Sequence, residues 1–206
     1  MKTLLILVFF ISVCSFAKNT YASSSGNDKA IHLYEKLNLK DKLDKNVFFN
    51  GYKAYQKTKG TKKPLLTVID YSKPSTEKRF FVFDLKREII VFNTYVSHGV
   101  NTGGKKAKKF SNTVDSRKTS LGVFLTDTTY YGSNGYSLKL DGLTPGKNDN
   151  ARKRYIVVHG ADYATERFIK RNGYLGRSWG CPALPASISK KIIDTIKGGS
   201  LIYAYG

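Results

Sequence analysis

The spacing of apolar residues changes character twice along this chain. Leu4 to Val13 is a nearly continuous apolar run behind Met1 and Lys2. Spanning a bilayer takes roughly 20 apolar residues, so this run is too short for a transmembrane helix. Its basic start and apolar centre have the layout of a secretory signal, with Thr20-Tyr21-Ala22 as a cleavage site, so residues 1–22 are expected to be a leader. Ser23 to Lys29 is small and polar and reads as a flexible mature N-terminus. Between Ala30 and Lys59, apolar residues such as Leu33, Leu37, Val47, Phe48 and Tyr55 recur at about helical spacing. Asn50-Gly51 interrupts them, which predicts two short helices in an N-terminal extension over residues 23–63.

From Pro64 the texture becomes that of strands, and residues 64–206 are expected to form the main domain. Leu65–Tyr71, Arg79–Leu85 and Glu88–Val96 are rich in Val, Ile, Phe and Tyr, with Lys86-Arg87 as the turn of a hairpin between the last two. Leu121–Thr126, Ser137–Leu140, Tyr155–Val158 and Leu201–Tyr205 are further predicted strands. Loops rich in Gly and Asn are expected at Asn101–Gly104, Tyr131–Gly135 and Leu143–Asn150. One late helix is predicted where Ile188, Ile192, Ile193 and Ile196 share a face, capped at its start by Ser187 and stopped by Gly198. Many short strands with one late helix predict a mostly-β sandwich or barrel.

Composition narrows the class. With 41% hydrophobic and 24% charged residues, the chain is not membrane-embedded, collagen-like, a disulfide scaffold or wholly disordered. Lys+Arg number 35 against 15 Asp+Glu, a formal charge of +20. The lysines are spread along the sequence, with clusters at Lys105-Lys106 and Lys108-Lys109, and serve solubility or attraction to an anionic polymer. No nucleic-acid-reading module is apparent, so nucleic acid is not an expected partner. The expected destination is outside the cytosol, in the periplasm, the cell wall or the extracellular space, where the anionic polymers belong to the envelope.

The cysteines sharpen this picture. Cys14 lies in the leader, where Val13 occupies the position at which a lipidation signal wants a small residue, so Cys181 is the one mature cysteine. A lone thiol in an oxidising compartment is open to oxidation and mixed-disulfide formation, so it calls for a reason. It is either a small buried hydrophobe or a reactive group. The histidines are His32, His98 and His159. His159 follows the apolar run Tyr155-Ile156-Val157-Val158 and precedes Gly160, the strand-end position from which a scaffold presents a catalytic side chain. Further on comes Gly176-Arg177-Ser178-Trp179-Gly180-Cys181-Pro182. An imidazole that takes the proton of a thiol turns a weak nucleophile into a strong one. Gly180 lets the backbone approach a substrate carbonyl, and amides around Gly180 and Cys181 are placed to stabilise an oxyanion. The scattered histidines and single mature cysteine make no zinc pattern, and neither a metal nor another cofactor is expected.

These flanks resemble the murein L,D-transpeptidases of the YkuD type, whose motif is His-Gly at a strand end followed by Ser or Thr, one residue, and Gly-Cys. His159-Gly160 and Ser178-Trp179-Gly180-Cys181 match it. A broader similarity to one sub-branch runs from about Phe80 to the C-terminus. It includes Ser97-His98-Gly99, Phe110-Ser111-Asn112, Ser120-Leu121-Gly122, Tyr131-Gly132, Asn134-Gly135, Asn148-Asp149-Asn150-Ala151 and Gly176 through Leu184. The larger branch carries a hydrophobic residue and an Arg after the Cys, where this chain has Pro182-Ala183. Arg177 and Arg154 are therefore the candidates for that substrate contact.

The resemblance implies a YkuD-like β-sandwich with a short helical N-terminal extension, acting on peptidoglycan stem peptides. Cys181 would attack the carbonyl of the third residue, a diamino acid, release the terminal D-alanine and leave a thioester. His159 would serve as base and proton shuttle. The acceptor would be an amine of a neighbouring stem, a free D-amino acid or a protein lysine, whereas water would make the enzyme an L,D-carboxypeptidase. A basic wall-binding module without catalysis is the competing class. Ser178 either orients His159 or caps its turn, Trp179 either walls the groove or fills the core, and His98 either faces substrate or is an ordinary loop histidine. His32 is expected at the surface.

Overall fold

The computed structural model describes residues 17–206, with side chains from residue 26 onward. The apolar run of the expected leader and Cys14 lie outside the described residues, and the junction expected after Ala22 falls within the first helix, α1 (Ala17–Lys36). Ser23 to Lys29 thus continues that helix instead of forming a loose terminus. Once a helix is nucleated, each added residue gains a hydrogen bond, and the next turns carry buried Ala30, Leu33 and Tyr34. The second helix, α2 (Lys45–Lys57), starts at Asp44, whose carboxylate accepts from the N–H groups of Asn46 at 2.8 Å and Val47 at 3.1 Å. The break between the helices is therefore at residues 37–44 rather than at Asn50-Gly51. Gly51 sits inside α2 because a Cβ there would meet Val68 Cγ2 at 3.1 Å and Tyr203 Cδ1 at 3.2 Å. It allows close helix-on-sheet approach and does not break the helix.

Eight strands form one sheet in the order β3-β2-β1-β8-β4-β5-β6-β7. They are β1 (Leu65–Asp70), β2 (Phe80–Asp84), β3 (Ile89–Thr94), β4 (Gly122–Gly132), β5 (Gly135–Gly142), β6 (Val157–Ala161), β7 (Ala183–Pro185) and β8 (Leu201–Tyr205). Every residue of β1 is buried, because its two faces meet two different cores. Leu66 and Val68 of β1 and Phe81 and Phe83 of β2 pack with Leu33, Phe48 and other residues of α1 and α2. Ile69, Phe80 and Val82 face the other core, shared with Leu138, Leu140 and Val158 of β5 and β6. Ile192, Ile193 and Ile196 of α4 (Ala186–Ile196) complete that core. Glu88, at φ 56° in the β2–β3 turn, ties α1 to the sheet through Lys29, Lys36 and His32. The Lys29 and Lys36 ammonium groups hold its carboxyl down to about 2.

Further local expectations differ from the structure; among them, the strand predicted at Tyr155–Val158 starts only at Val157 and runs on to Ala161. Tyr131–Gly135 is a tight hairpin, not a loop, since Gly132 pairs with Gly135 across a two-residue turn. Ser187 does not cap α4, which begins after Pro185 without a side-chain cap, while Gly198 does take a left-handed φ of 78° just beyond its end. A further helix, α3 (Glu166–Asn172), lies between β6 and β7, capped by Thr165 and ended by Gly173 at φ 81°. Parallel strands need such a crossover. This one delivers residues 178–181 to the start of β7, alongside β6.

The sheet also meets itself. Beyond β3, Ser97 N–H donates to the Ala183 carbonyl of β7 at 2.8 Å, so the first edge strand's continuation lies on the last strand. The result is the mostly-β sandwich, with its candidate nucleophile at the seam.

Candidate active site

The turn carrying Cys181 is shaped by one hydroxyl. Ser178 Oγ donates to the Cys181 carbonyl at 2.6 Å and accepts the Gly180 N–H at 3.1 Å. The N–H of Ser178 donates to the His98 carbonyl at 3.0 Å, and its carbonyl accepts the Val100 N–H at 2.8 Å. Gly180 has φ 122°, and a Cβ on it would lie 2.8 Å from the Lys118 carbonyl oxygen. Both facts demand glycine. Of the two roles open to Ser178, its hydrogen bonds give it the turn.

Cys181 is 8% exposed. Its thiol faces the Tyr155 carbonyl at 3.6 Å and accepts the Val157 N–H at 3.5 Å. Burial pushes the thiol pKa up, opposed by the Val157 N–H and the Arg154 guanidinium. His159 lies in the middle of β6 rather than at its end, with its backbone in register with Ala183 of β7. Its Nδ1 is 2.9 Å from the Gly160 carbonyl, so Nδ1–H is the donor there and Nε2 keeps its lone pair. Burial pushes the imidazole pKa down, opposed by that hydrogen bond. Among the described residues no hydrogen bond joins the ring to the Cys181 sulfur. Both shifts favour a neutral thiol and a neutral imidazole.

The other predicted site residues divide sharply. His98 is 1% exposed; its Nδ1 accepts from Arg79 Nη2 at 2.7 Å and its Nε2 faces the Gly103 carbonyl at 3.2 Å. With both ring nitrogens engaged inside the protein, His98 does not face substrate, which corrects its expected binding role. Burial and then the Arg79 charge push its pKa down to about 4, so it is neutral. Arg154 Nη1 donates to the Ser111 carbonyl at 2.7 Å, and Nη2 donates to the Lys118 carbonyl at 2.6 Å. Its guanidinium thus fastens the 111–120 loop beside the sulfur. Arg177 is exposed, with its guanidinium 5.5 Å from the Tyr174 ring centroid. Trp179 is 71% exposed under the Arg117 guanidinium at 4.4 Å, so it does not fill the core. His32 is on the surface against Glu88. Sequence reasoning missed Arg79, which is fully buried and donates to the Lys73 carbonyl at 2.7 Å and the Val96 carbonyl at 2.9 Å. It also missed Tyr155, whose positive φ nothing in its apolar flanks signals. Among the described residues no group of three His, Cys, Asp or Glu side chains is arranged to hold a metal ion, and no helix is long and apolar enough to cross a membrane.

The site thus brings a buried cysteine, in a hydroxyl-braced turn just ahead of β7, to the side of the sheet where β6 carries a histidine. The sequence model of the L,D-transpeptidase catalytic domain matches residues 39–205, and the chain belongs to that family. The match includes α2, so part of the expected extension lies within it. A comparison with curated proteins finds no match. Among solved structures, an L,D-transpeptidase from Mycobacterium smegmatis is 16% identical with a TM-score of 0.42, covering 69% of this chain and 59% of its own. L,D-transpeptidase 1 of Mycobacterium tuberculosis is 16% identical with a TM-score of 0.38, covering 68% of this chain and 60% of its own. An L,D-transpeptidase from Stackebrandtia nassauensis is 16% identical with a TM-score of 0.41, covering 85% and 75% respectively. The chain thus spans about three fifths of the two mycobacterial proteins.

Proposed function

We propose that this protein is an exported, cysteine-dependent L,D-transpeptidase acting on peptidoglycan stem peptides in the periplasm or cell wall. The observation that carries the reading is the Cys181 sulfur held against the Tyr155 carbonyl and the Val157 N–H, within the family-matched region. His159 Nε2 takes the thiol proton as sulfur bonds to the carbonyl carbon of the stem's third residue. Gly180 N–H is already donated to Ser178, so Cys181 N–H is the amide offered to the oxyanion. Collapse breaks the C–N bond, the proton passes from Nε2 to the departing D-alanine nitrogen, and a thioester remains. An incoming amine then gives a proton to Nε2, attacks the thioester and returns the sulfur, which regains that proton.

Mass spectrometry of disaccharide-tetrapeptides incubated with the protein tests this. Loss of terminal D-alanine with formation of a cross-linked dimer or an exchanged product is expected, whereas tripeptide alone marks water as acceptor. The Cys181→Ala variant should fold and turn over nothing. Continued consumption of tetrapeptide by that variant would sink the mechanism.

A further inference from the structure

A groove of about 400 Å³ opens over β5 and the start of β6, with Tyr130, Lys139, Arg152, Tyr155 and Val157 among its walls. Tyr155 and Val157 also supply the backbone groups that hold the Cys181 sulfur, so one end of the groove adjoins the chemistry. Strand register fixes the other end. Tyr130 of β4 pairs with Ser137 of β5, which pairs with His159 of β6, so Tyr130 lies two strands away from the histidine in the same row. Two strand spacings are about 10 Å.

Tyr155 supplies a second observation. It has φ 54°, a region that costs a bulky side chain about 1 kcal/mol or more. Its side chain nevertheless adds nothing to the core, being 81% exposed. The same residue offers its carbonyl to the thiol and its ring to the groove wall.

The two cations that line the groove, Lys139 and Arg152, are matched by two carboxylates behind its wall. Arg152 is bonded to Asp127 and, at 2.5 Å, to Asp141, and Lys139 Nζ lies 5.4 Å from the Tyr130 ring centroid. Two cations offset by two nearby carboxylates do not select a charged ligand. They offer fixed hydrogen-bonding edges between two aromatic surfaces, which suits a neutral, amphipathic ring bearing hydroxyl and acetamido groups. The volume fits roughly one or two pyranose rings.

We propose that this groove binds N-acetylated sugar of the glycan strand and thereby sets which stem residue meets Cys181. The proposal rests on the stem-peptide reading above. An extended peptide advances about 3.4 Å per residue, so the third residue of a stem lies about 10 Å from the sugar that bears it. A ring stacked on Tyr130 therefore brings the third residue to β6, whose Val157 N–H holds the Cys181 sulfur, and earlier residues fall short.

The test has two arms on the full chain. In the first, the N-acetylglucosamine tetramer chitotetraose, which carries no peptide, is titrated while the Tyr130 and Tyr155 ring signals are followed by NMR. Both should shift, and Tyr130→Ala should weaken binding by roughly two- to ten-fold, the range of one lost aromatic stacking contact. In the second, kcat/KM is compared for a disaccharide-tetrapeptide and the sugar-free tetrapeptide. Wild type should favour the sugar-bearing substrate, and the ratio should fall toward unity in Tyr130→Ala and in the surface variant Tyr155→Ala, with folding checked by circular dichroism. Absence of chitotetraose binding overturns the proposal, as does a ratio equal in wild type and variants. Chitotetraose binding by a protein that turns over neither substrate would keep the glycan site and refute the acyl-transfer reading instead.

Discussion

Replacing His159 by Gln isolates how the thiol is activated. Ordinary thiols and imidazoles have pKa values of about 8.5 and 6.5, so passing the proton from one to the other is uphill by about two units, or a hundredfold. In this protein burial moves the cysteine up and the histidine down, and both shifts widen that gap. With no hydrogen bond between ring and sulfur to recover the cost, a resting thiolate–imidazolium pair is below about 1% of the population. On the proposed mechanism, His159 then acts while the sulfur attacks. Because its folded pKa is depressed, the neutral form persists below the ordinary imidazole range. The acidic limb of tetrapeptide acylation should therefore fall below about pH 6.5. The glutamine variant should lose that limb and about 10²–10⁴ of the rate, the usual share of a positioned base. The assay pairs this profile with alkylation of Cys181 by iodoacetamide from about pH 4 to about pH 10, a range spanning both ordinary values. Alkylation of wild type should rise steadily with pH, with its midpoint above the ordinary thiol value. A fast plateau through the neutral range that disappears in the glutamine variant would refute the neutral pair.

Gly180→Ala should sharply reduce acylation and lower the melting temperature, because it adds a Cβ 2.8 Å from the Lys118 carbonyl oxygen at φ 122°; unchanged kinetics would contradict that packing. His98, held to about 4, binds fewer protons folded than unfolded between that value and about 6.5. Its contribution, about 3 kcal/mol, is present above pH 6.5 and is lost as pH falls to about 4; urea unfolding of wild type and His98→Gln should show a smaller acid loss in the variant. Retention on purified sacculi should weaken as salt rises, since exposed lysine charge is screened over about 8 Å at physiological ionic strength. Turnover of a soluble tetrapeptide should change little over the same range, and salt-independent retention would leave the lysines to solubility alone.

The elements legible in the sequence are those where one physical signal dominated. β1, β2 and β3 stand within a residue or two of their predicted limits because dense apolar runs bounded by Pro64, Lys86-Arg87 and polar loops leave little choice. The misplaced helix break has a definite cause. Gly51 looks like a breaker locally, but it is fixed by Val68 and Tyr203, side chains far along the chain. Helix α3 escaped notice because Glu166–Asn172 is too short for a hydrophobic period and buries no residue fully; Thr165 and Gly173 were its only marks. The candidate nucleophile and base were legible through their motif. The roles of their neighbours were not, because exposure, tautomer and hydrogen-bond partner are tertiary properties.

Arg79 illustrates that limit, and it bears on how the site keeps its shape. Arginine is almost never fully buried without a partner, yet here carbonyl oxygens and an imidazole surround the guanidinium. Its fork joins the Lys73 carbonyl, the Val96 carbonyl and His98, and the His98 carbonyl in turn accepts from Ser178. The turn of the candidate nucleophile is therefore referenced to the start of β2 through an unbroken chain of hydrogen bonds. That chain works only while His98 is neutral, since a proton on Nδ1 would set a second cation 2.7 Å from the guanidinium. The burial that makes the frame rigid also makes it acid-sensitive, and it does so at the residues that brace Cys181.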